Sequence, residues 1–92
     1  MTKELNKSKL IISNIDLYSH TFPIDILEKN IDSLDLLTLI KTQNLTYDFI
    51  IKYVLNEEFQ ITAEEKTIDI YDVVRCQQHI DINELKTHID IK

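Results

Sequence analysis

The chain has 92 residues and a net charge of −6 at pH 7, with no glycine, one proline and one cysteine. A chain of this length forms one domain that buries roughly two-thirds of its unfolded surface, which leaves little material for the deep cleft of a large enzyme. The acidic charge disfavours binding to nucleic-acid phosphates and to anionic membranes, because both require clustered Lys and Arg. A basic protein partner is favoured instead.

The N-terminal residues 1–8 are polar and lack an apolar period, so we expect a flexible terminus followed by a single helical repeat domain over 9–92. The β-branched run 9–13 fits either a short strand or the start of a helix, and periodicity alone does not decide between them. Cys76 has no second cysteine to pair with, and no stretch resembles a signal peptide or a membrane span. We therefore expect a cytoplasmic protein in a reducing compartment.

A six-residue segment with similar apolar spacing occurs three times, each time at the start of a predicted helix. The copies lie at 22–27, 45–50 and 80–85. Thr46 is a predicted N-cap, with Leu45 before it and Ile50 at the fourth helical position, which is the arrangement of a hydrophobic staple. Pro23 occupies the same position in the first copy, where its missing N–H has no cost. In the third copy Asp81 and Glu84 have the spacing of a capping box.

A second helix type ends in glutamine and occurs twice, at 36–43 and 70–77, with a period of 34 residues. We expect it to begin near Asp32 or Ser33 in the first copy and near Asp69 in the second. Gln43 and Gln77 are expected to hydrogen-bond backbone groups at the helix end or at the corner that follows. An outward-facing pair of amides that binds a ligand is the alternative.

These patterns predict an all-α fold, a small array of about five short helices in tandem degenerate repeats. The helices are expected near 24–31, 34–42, 47–55, 69–77 and 82–89. Each unit is too small to bury its own apolar face, so the units must stack. The repeat-equivalent apolar residues should form the core: Phe22, Leu27, Leu36, Ile40, Leu45, Phe49, Ile50, Val54, Ile70, Val73, Val74, Ile80 and Leu85.

An insert over 56–66 lengthens the connection in one repeat only. Thr62 and Glu65 have the spacing of a capping box, which predicts one short helical turn there. Phe59 and Ile61 are expected to attach the insert to the array.

The stretch 43–50, preceded by Leu36, Leu39 and Ile40, resembles the short degenerate repeats of large-DNA-virus and phage proteins. These read W-x-x-I-S-x-x-Q-x-L-S-x-x-F-I in one-letter form, and the likeness covers about residues 20–90. This chain departs from the pattern, because Leu36 and Ile70 stand where the repeats have Trp and Gln78 adds a residue before the third copy. The resemblance implies a viral origin and a helical scaffold, with no activity attached.

The residues that carry most enzyme chemistry are sparse and scattered. The three histidines, His20, His79 and His88, share no helical face with one another or with Cys76, so they have no metal-ligand spacing. A lone cysteine is more often a packing residue than a nucleophile. We therefore predict no enzyme activity, no cofactor and no metal site.

An acidic cluster in and beyond the insert is the best functional clue. It consists of Glu57, Glu58, Glu64, Glu65, Asp69 and Asp72, and we expect the four glutamates to be exposed. Insertions in helical arrays often lie on the binding face, which favours a protein-interaction module with a basic partner and without nucleic-acid or membrane binding. A solvated loop that only keeps the protein soluble is the simpler reading. An acidic inhibitor that mimics nucleic acid in a defence enzyme is the alternative function.

Overall fold

The structure is a computed structural model and describes residues 11–90, which form an all-α fold without a strand in that range. The fold class is therefore confirmed. The helices are α1 (Asn14–Ser19), α2 (Ile24–Lys29), α3 (Leu36–Thr42), α4 (Tyr47–Phe49, continuing as a π-helix over Ile50–Val54), α5 (Ala63–Lys66), α6 (Ile70–Cys76) and α7 (Ile82–Asp90), with a 3₁₀ turn at Ile31–Ser33. The predicted flexible terminus 1–8 lies outside the described residues.

The five predicted helices correspond to α2, α3, α4, α6 and α7, and the helical turn of the insert is α5. Helix α1 was not predicted. Of the ambiguous run 9–13, the described residues 11–13 are neither strand nor helix and lead directly into α1. Ser13 and Asp16 form its capping box, in which Asp16 Oδ2 accepts from the Ser13 N–H at 2.9 Å.

Most predicted helix starts are made by the expected side chains. The hydroxyl of Thr46 accepts from the Phe49 N–H at 3.1 Å, and Asp69 caps α6. The predicted start of α3 near Asp32 or Ser33 is wrong. Those residues form the 3₁₀ turn, and Asp35 caps α3 by accepting from the Thr38 N–H at 3.0 Å.

The predicted capping box of α7 is only half formed. Asp81 Oδ2 accepts from the Glu84 N–H at 2.9 Å, as expected. The N–H of Asp81, however, donates to the hydroxyl of Tyr47 at 2.9 Å instead of to Glu84. This bond ties the start of α7 to the start of α4, so a tertiary contact has replaced the local one.

The hydrophobic core contains most of the predicted residues. Phe22, Ile70 and Val74 are exceptions, because they are only half-buried at its edge. Six further residues are buried and were not predicted, namely Ile12, Leu17, Leu34, Leu39, Tyr53 and Ile68. The core thus extends along α1 and the connections before α3 and α6, where the repeats are least similar in sequence.

Grouped by their order in the chain, the helices of the repeats give three successive pairs, α1–α2, α3–α4 and α6–α7, and a glutamine side chain joins each pair to the next. Gln43, at the end of α3, is 3% exposed. Its Nε2 donates to the carbonyl oxygens of Leu17 and His20 at 3.0 and 2.9 Å, and its Oε1 accepts from the Phe22 N–H at 2.8 Å. The side chain therefore satisfies three backbone groups at the corner between α1 and α2.

Gln77 repeats this arrangement one pair later. Its Nε2 donates to the carbonyl oxygens of Ile40 and Gln43 at 2.7 and 2.6 Å, and its Oε1 accepts from the Leu45 N–H at 2.9 Å. The prediction that the two glutamines bond backbone groups is confirmed, but the predicted location, at their own helix ends or the corners that follow, is wrong. Their partners lie in the preceding pair rather than at their own helix ends, and both amides point inward.

The third corner, between α6 and α7, contains its own backbone hydrogen bond. The N–H of Ile80 donates to the carbonyl oxygen of Gln77 at 2.9 Å, whereas the corresponding groups of the first two corners bond to a glutamine side chain. Gln78, the extra residue of this copy, lengthens the corner enough for this turn. The extra residue Gln78 thus lets the Ile80 N–H bond within the corner, so that this group does not need a further glutamine side chain.

The insert is attached by one of the two predicted residues. The ring of Phe59 packs edge-on against Tyr53, with 4.9 Å between centroids. Ile61 is 73% exposed, so its predicted role as an attachment point is wrong. Helix α5 instead reaches α3, which also contacts α1 and α6 and is the central helix of the array. Within residues 11–90, every helix is too short or too polar to cross a membrane.

Candidate functional site

The six acidic residues of the predicted cluster do not share one surface. Glu65 is 4% exposed, so the expectation that it is accessible is wrong. Its Oε2 accepts from the Leu36 N–H at 2.9 Å, and its Oε1 accepts from the N–H groups of Ile61 and Thr62 at 2.8 and 3.0 Å. The carboxylate therefore joins the insert to the start of α3.

The pKa of Glu65 reflects this structural role. Burial disfavours the charged carboxylate and acts to raise the pKa, but the backbone N–H donors of Leu36, Thr62 and Ile61 outweigh it. The pKa of Glu65 is consequently lower than its ordinary value, and the group is charged at neutral pH.

Asp69 and Asp72 are occupied at the start of α6. Asp69 Oδ1 accepts from the N–H groups of Tyr71 and Asp72, both at 3.0 Å, and Asp72 Oδ2 accepts from the Asp69 N–H at 3.1 Å. This backbone hydrogen bond lowers the pKa of Asp72, and the nearby charge of Arg75 acts in the same direction. Both carboxylates thus serve the helix N-terminus, while Glu64 is exposed on α5.

Glu57 and Glu58 lie at an open groove between α2, α4 and α7. The groove consists of two adjoining hollows of about 490 and 610 Å³ that share Ile51 and Asn56. The first hollow is lined by Ile51, Leu55, Asn56, Glu57, Glu58 and Ile89. The second is lined by Glu28, Asp48, Ile51, Lys52, Asn56 and His88.

The floor of the first hollow is formed by three apolar side chains, of which Ile51 also lines the second hollow. Ile51, Leu55 and Ile89 are half-buried, and they pack against the core with one side only. Ile51 belongs to the π-helical part of α4, where the Leu55 N–H donates to the carbonyl oxygen of Ile50, five residues earlier, at 2.9 Å. Short π-helical segments within α-helices occur frequently at functional sites.

The rim of the groove is acidic. Glu57 and Glu58 border the first hollow, and Glu28 and Asp48 border the second. Lys52 carries the one ammonium group among the residues that line them, beside the imidazole of His88, and its Nζ lies 5.3 Å from the centre of the Tyr53 ring. Four carboxylates against one ammonium group give the groove a negative potential that attracts cations.

His88 lines the second hollow of the groove and is held by its neighbours. Its ring stacks on Tyr47 with 5.0 Å between centroids, and its Nε2 lies 3.7 Å from the carboxylate of Glu84. Because Tyr47 also bonds the start of α7, this contact fixes α4 and α7 relative to each other. The groove is therefore a preformed feature of the packing.

The remaining candidates from the sequence lie elsewhere. His20 and His79 are exposed, and the Nε2 of His79 contacts the Leu45 carbonyl oxygen at 2.6 Å, which requires a proton on that nitrogen. Cys76 is a half-buried free thiol packed against the core. Across the described residues, no three His, Cys, Asp or Glu side chains are grouped closely enough to hold a metal ion.

Sequence reasoning identified Glu57 and Glu58 but missed the rest of the groove. A signal was nevertheless present in the repeats. In the alignment of the three copies, Ile51 corresponds to Glu28 and Lys86, and Leu55 corresponds to two aspartates. An apolar residue in one copy at a position that is charged in the others indicates a surface with a function of its own.

No protein-family model, no curated protein and no solved structure matches this chain.

Proposed function

We propose that this protein is a non-catalytic interaction module that binds a basic segment of a partner protein in the groove between α2, α4 and α7. The observation that carries this proposal is the combination of an apolar floor, Ile51, Leu55 and Ile89, with a rim of four carboxylates. Isolated exposed carboxylates only solubilise a protein, whereas a desolvated apolar patch inside a charged rim is the usual anatomy of a binding site.

The two parts of the groove have different tasks in this proposal. The apolar floor supplies affinity, because a partner side chain placed there loses contact with water. The carboxylates attract a basic partner, raise the association rate and reject acidic proteins. The side chains of Gln43 and Gln77, which we call the glutamine clamps, and the Glu65 carboxylate belong to the scaffold that holds the groove in shape.

The acidic nucleic-acid mimic receives less support. Such an inhibitor needs accessible carboxylates spaced along one face in place of phosphates. Glu65 is buried, and Asp69 and Asp72 are engaged in capping α6. Only part of the acidic cluster is therefore free to imitate a phosphate backbone.

The resemblance to repeats of large-DNA-virus and phage proteins extends this proposal to a viral protein whose partner is a host or viral protein. The single free cysteine is compatible with the reducing interior of a host cell, where we propose that the interaction occurs.

Affinity capture from a host lysate with three forms of the tagged chain tests the proposal. These are the wild type, the groove variant Glu57→Lys/Glu58→Lys, and the control variant Asp32→Lys/Glu64→Lys. All four substituted residues are exposed, and both variants change the net charge equally. We expect basic proteins that the wild type and the control retain and that the groove variant loses. Identical captured sets for all three forms would overturn the proposal.

A further inference from the structure

The shape and charge of the groove specify the kind of segment that fits it. From these features we infer that the occupant is a short amphipathic α-helix with one apolar face flanked by Lys or Arg. The inference rests on the proposed function, because it assumes that the groove is the binding site. It adds the conformation and the residue pattern of the partner.

The floor of the groove matches a helical spacing. Ile51 lies in the π-helical part of α4 and Leu55 is the residue that caps its end, so the two are about one helical turn apart, and Ile89 of α7 lines the same hollow. A partner helix presents apolar residues at positions i, i+3 or i+4, and i+7 on one face. Two or three such residues cover the floor, beside the carboxylates that line the two hollows.

The backbone chemistry of the site favours a helix over an extended peptide. An extended segment binds either by adding to the free edge of a sheet or, as a polyproline II helix, in a groove lined by aromatic rings. The described part of this chain contains no strand, and no Phe, Tyr or Trp lines the groove. Apart from the turn at 56–58 of the insert, the walls of the groove are helices, whose backbone groups bond to one another. A segment that enters an apolar groove must therefore satisfy its own backbone groups, which an α-helix does.

The position of the carboxylates specifies where the partner's charges lie. Glu28 and Asp48 border one hollow, Glu57 and Glu58 border the other, and the two hollows meet at Ile51 and Asn56. A helix seated over Ile51 therefore encounters acidic side chains at both hollows. Basic residues are required on both flanks of its apolar stripe, which is the pattern of a basic amphipathic helix.

Three labelled synthetic peptides of equal length, about 18 residues so that the helix forms readily, test the inference by fluorescence anisotropy. The first contains Leu and Lys with Leu at helical spacing, the second has the same composition with Leu and Lys alternating, and the third is oligolysine. We expect the helical peptide to bind at least about tenfold more tightly than the other two, and to gain helical circular dichroism on binding.

Variants of the protein locate the binding. We expect Ile51→Asp to weaken binding of the helical peptide by about tenfold or more, because it places a carboxylate on the apolar floor. Ile15→Asp is the matched control, because Ile15 is a 77% exposed isoleucine on α1, outside the groove lining, and should leave binding unchanged. Glu57→Lys/Glu58→Lys should weaken binding while Asp32→Lys/Glu64→Lys should weaken it much less. The comparison of peptides does not depend on the folding of any variant.

Two outcomes separate the inference from the proposed function. If captured partners depend on Glu57 and Glu58 but the alternating peptide or oligolysine binds as tightly as the helical peptide, the helix inference is overturned and the interaction module stands. If captured partners depend on Glu57 and Glu58 but Ile51→Asp and Ile15→Asp weaken binding of the helical peptide equally, the peptide does not occupy the groove and only the helix inference is overturned. Failure of the capture experiment overturns the proposed function itself.

Discussion

The corners between paired helices and the insert over 56–66 use polar side chains in different ways. At the corners, Gln43 and Gln77 make equivalent hydrogen bonds one pair apart, so the polar residues repeat together with the apolar ones. In the insert, the adjacent residues Glu64 and Glu65 are exposed and buried, respectively, while Glu57 and Glu58 border the groove. The equivalent polar residues of the repeats thus have one structural role, whereas the acidic residues of the insert are divided between the scaffold and the surface.

This comparison shows what determines the role of a polar residue. Gln77 is structural because its buried side chain supplies hydrogen-bond partners to three backbone groups. Glu65 is structural for the same reason, whereas Glu64 faces solvent and accepts nothing through its side chain within the described residues. Substitutions in matched pairs therefore separate the scaffold from the surface.

The largest expected effect on stability is that of truncating Phe49 in the repeats, compared with Phe59 in the insert. Phe49 is 1% exposed in the core, and Phe59 of the insert is half-buried against Tyr53. Phe49→Ala should lower the free energy of unfolding by about 3–5 kcal/mol, comparable to the whole stability of so small a domain. Phe59→Ala should cost clearly less, because part of its ring is already in water. Chemical denaturation monitored by circular dichroism measures both, and equal losses would contradict the assignment of the core.

The glutamine clamp is tested by Gln77→Ala with Gln78→Ala as its control. Truncation of Gln77 leaves the carbonyl oxygens of Ile40 and Gln43 and the N–H of Leu45 without their partner, which should cost about 2–4 kcal/mol. Gln78 is exposed, so its truncation should change the free energy of unfolding by less than about 0.5 kcal/mol. Similar denaturation midpoints for the two variants would mean that the clamp does not stabilise the array.

The insert is tested by Glu65→Ala and Glu64→Ala. We expect a loss of about 1–3 kcal/mol for Glu65, because the Leu36 N–H is then buried without an acceptor, and almost none for Glu64. The lowered pKa of Glu65 adds a pH dependence. Its stabilisation is present above the ordinary pKa of about 4.5 and is lost as the pH falls toward the lower folded-state value. The difference in stability between wild type and Glu65→Gln should therefore narrow in acid, and a constant difference would contradict this account.

The sequence predicted the parts of the fold that depend on neighbouring residues. The caps at Thr46, Asp69 and Thr62 were predicted because each side chain bonds to a backbone group within a few residues. Helix α1 was missed, because Ile15 and Tyr18 on it are exposed and obscure the apolar period. The partners of Gln43 and Gln77 lie more than 20 residues away, so only packing reveals them.

The candidate site was predicted to a smaller extent, because most of its residues come together only through contacts between distant parts of the chain. Glu57 and Glu58 stand out as a charged run, but Glu28 and Asp48 lie on earlier repeats and reach the groove only through the packing of α2 and α4. The burial of Glu65 was equally hidden, because its main acceptor role is toward Leu36, 29 residues earlier.

The smallest expected effect on stability is that of Asp81→Ala. The substitution removes the bond from the Glu84 N–H to Asp81 Oδ2 but keeps the backbone bond to Tyr47, so it should cost on the order of 1 kcal/mol. Asn83→Ala, an exposed position in the first turn of the same helix, is the control. An unchanged denaturation midpoint for Asp81→Ala would count against this cap.

The most direct test of the central claim is the association rate of the helical Leu/Lys peptide with wild type, Glu57→Lys/Glu58→Lys and Asp32→Lys/Glu64→Lys at two salt concentrations. The claim is that Glu57 and Glu58 act at the groove while the rest of the acidic cluster serves the fold or the solvent. Salt screens charges beyond about 8–10 Å, so only carboxylates near the site should matter strongly. We predict that the groove variant associates more slowly and with a weaker salt dependence than the equally charged control. Association of the groove variant as fast as wild type at low salt would show that Glu57 and Glu58 are merely solvated and that the binding face lies elsewhere.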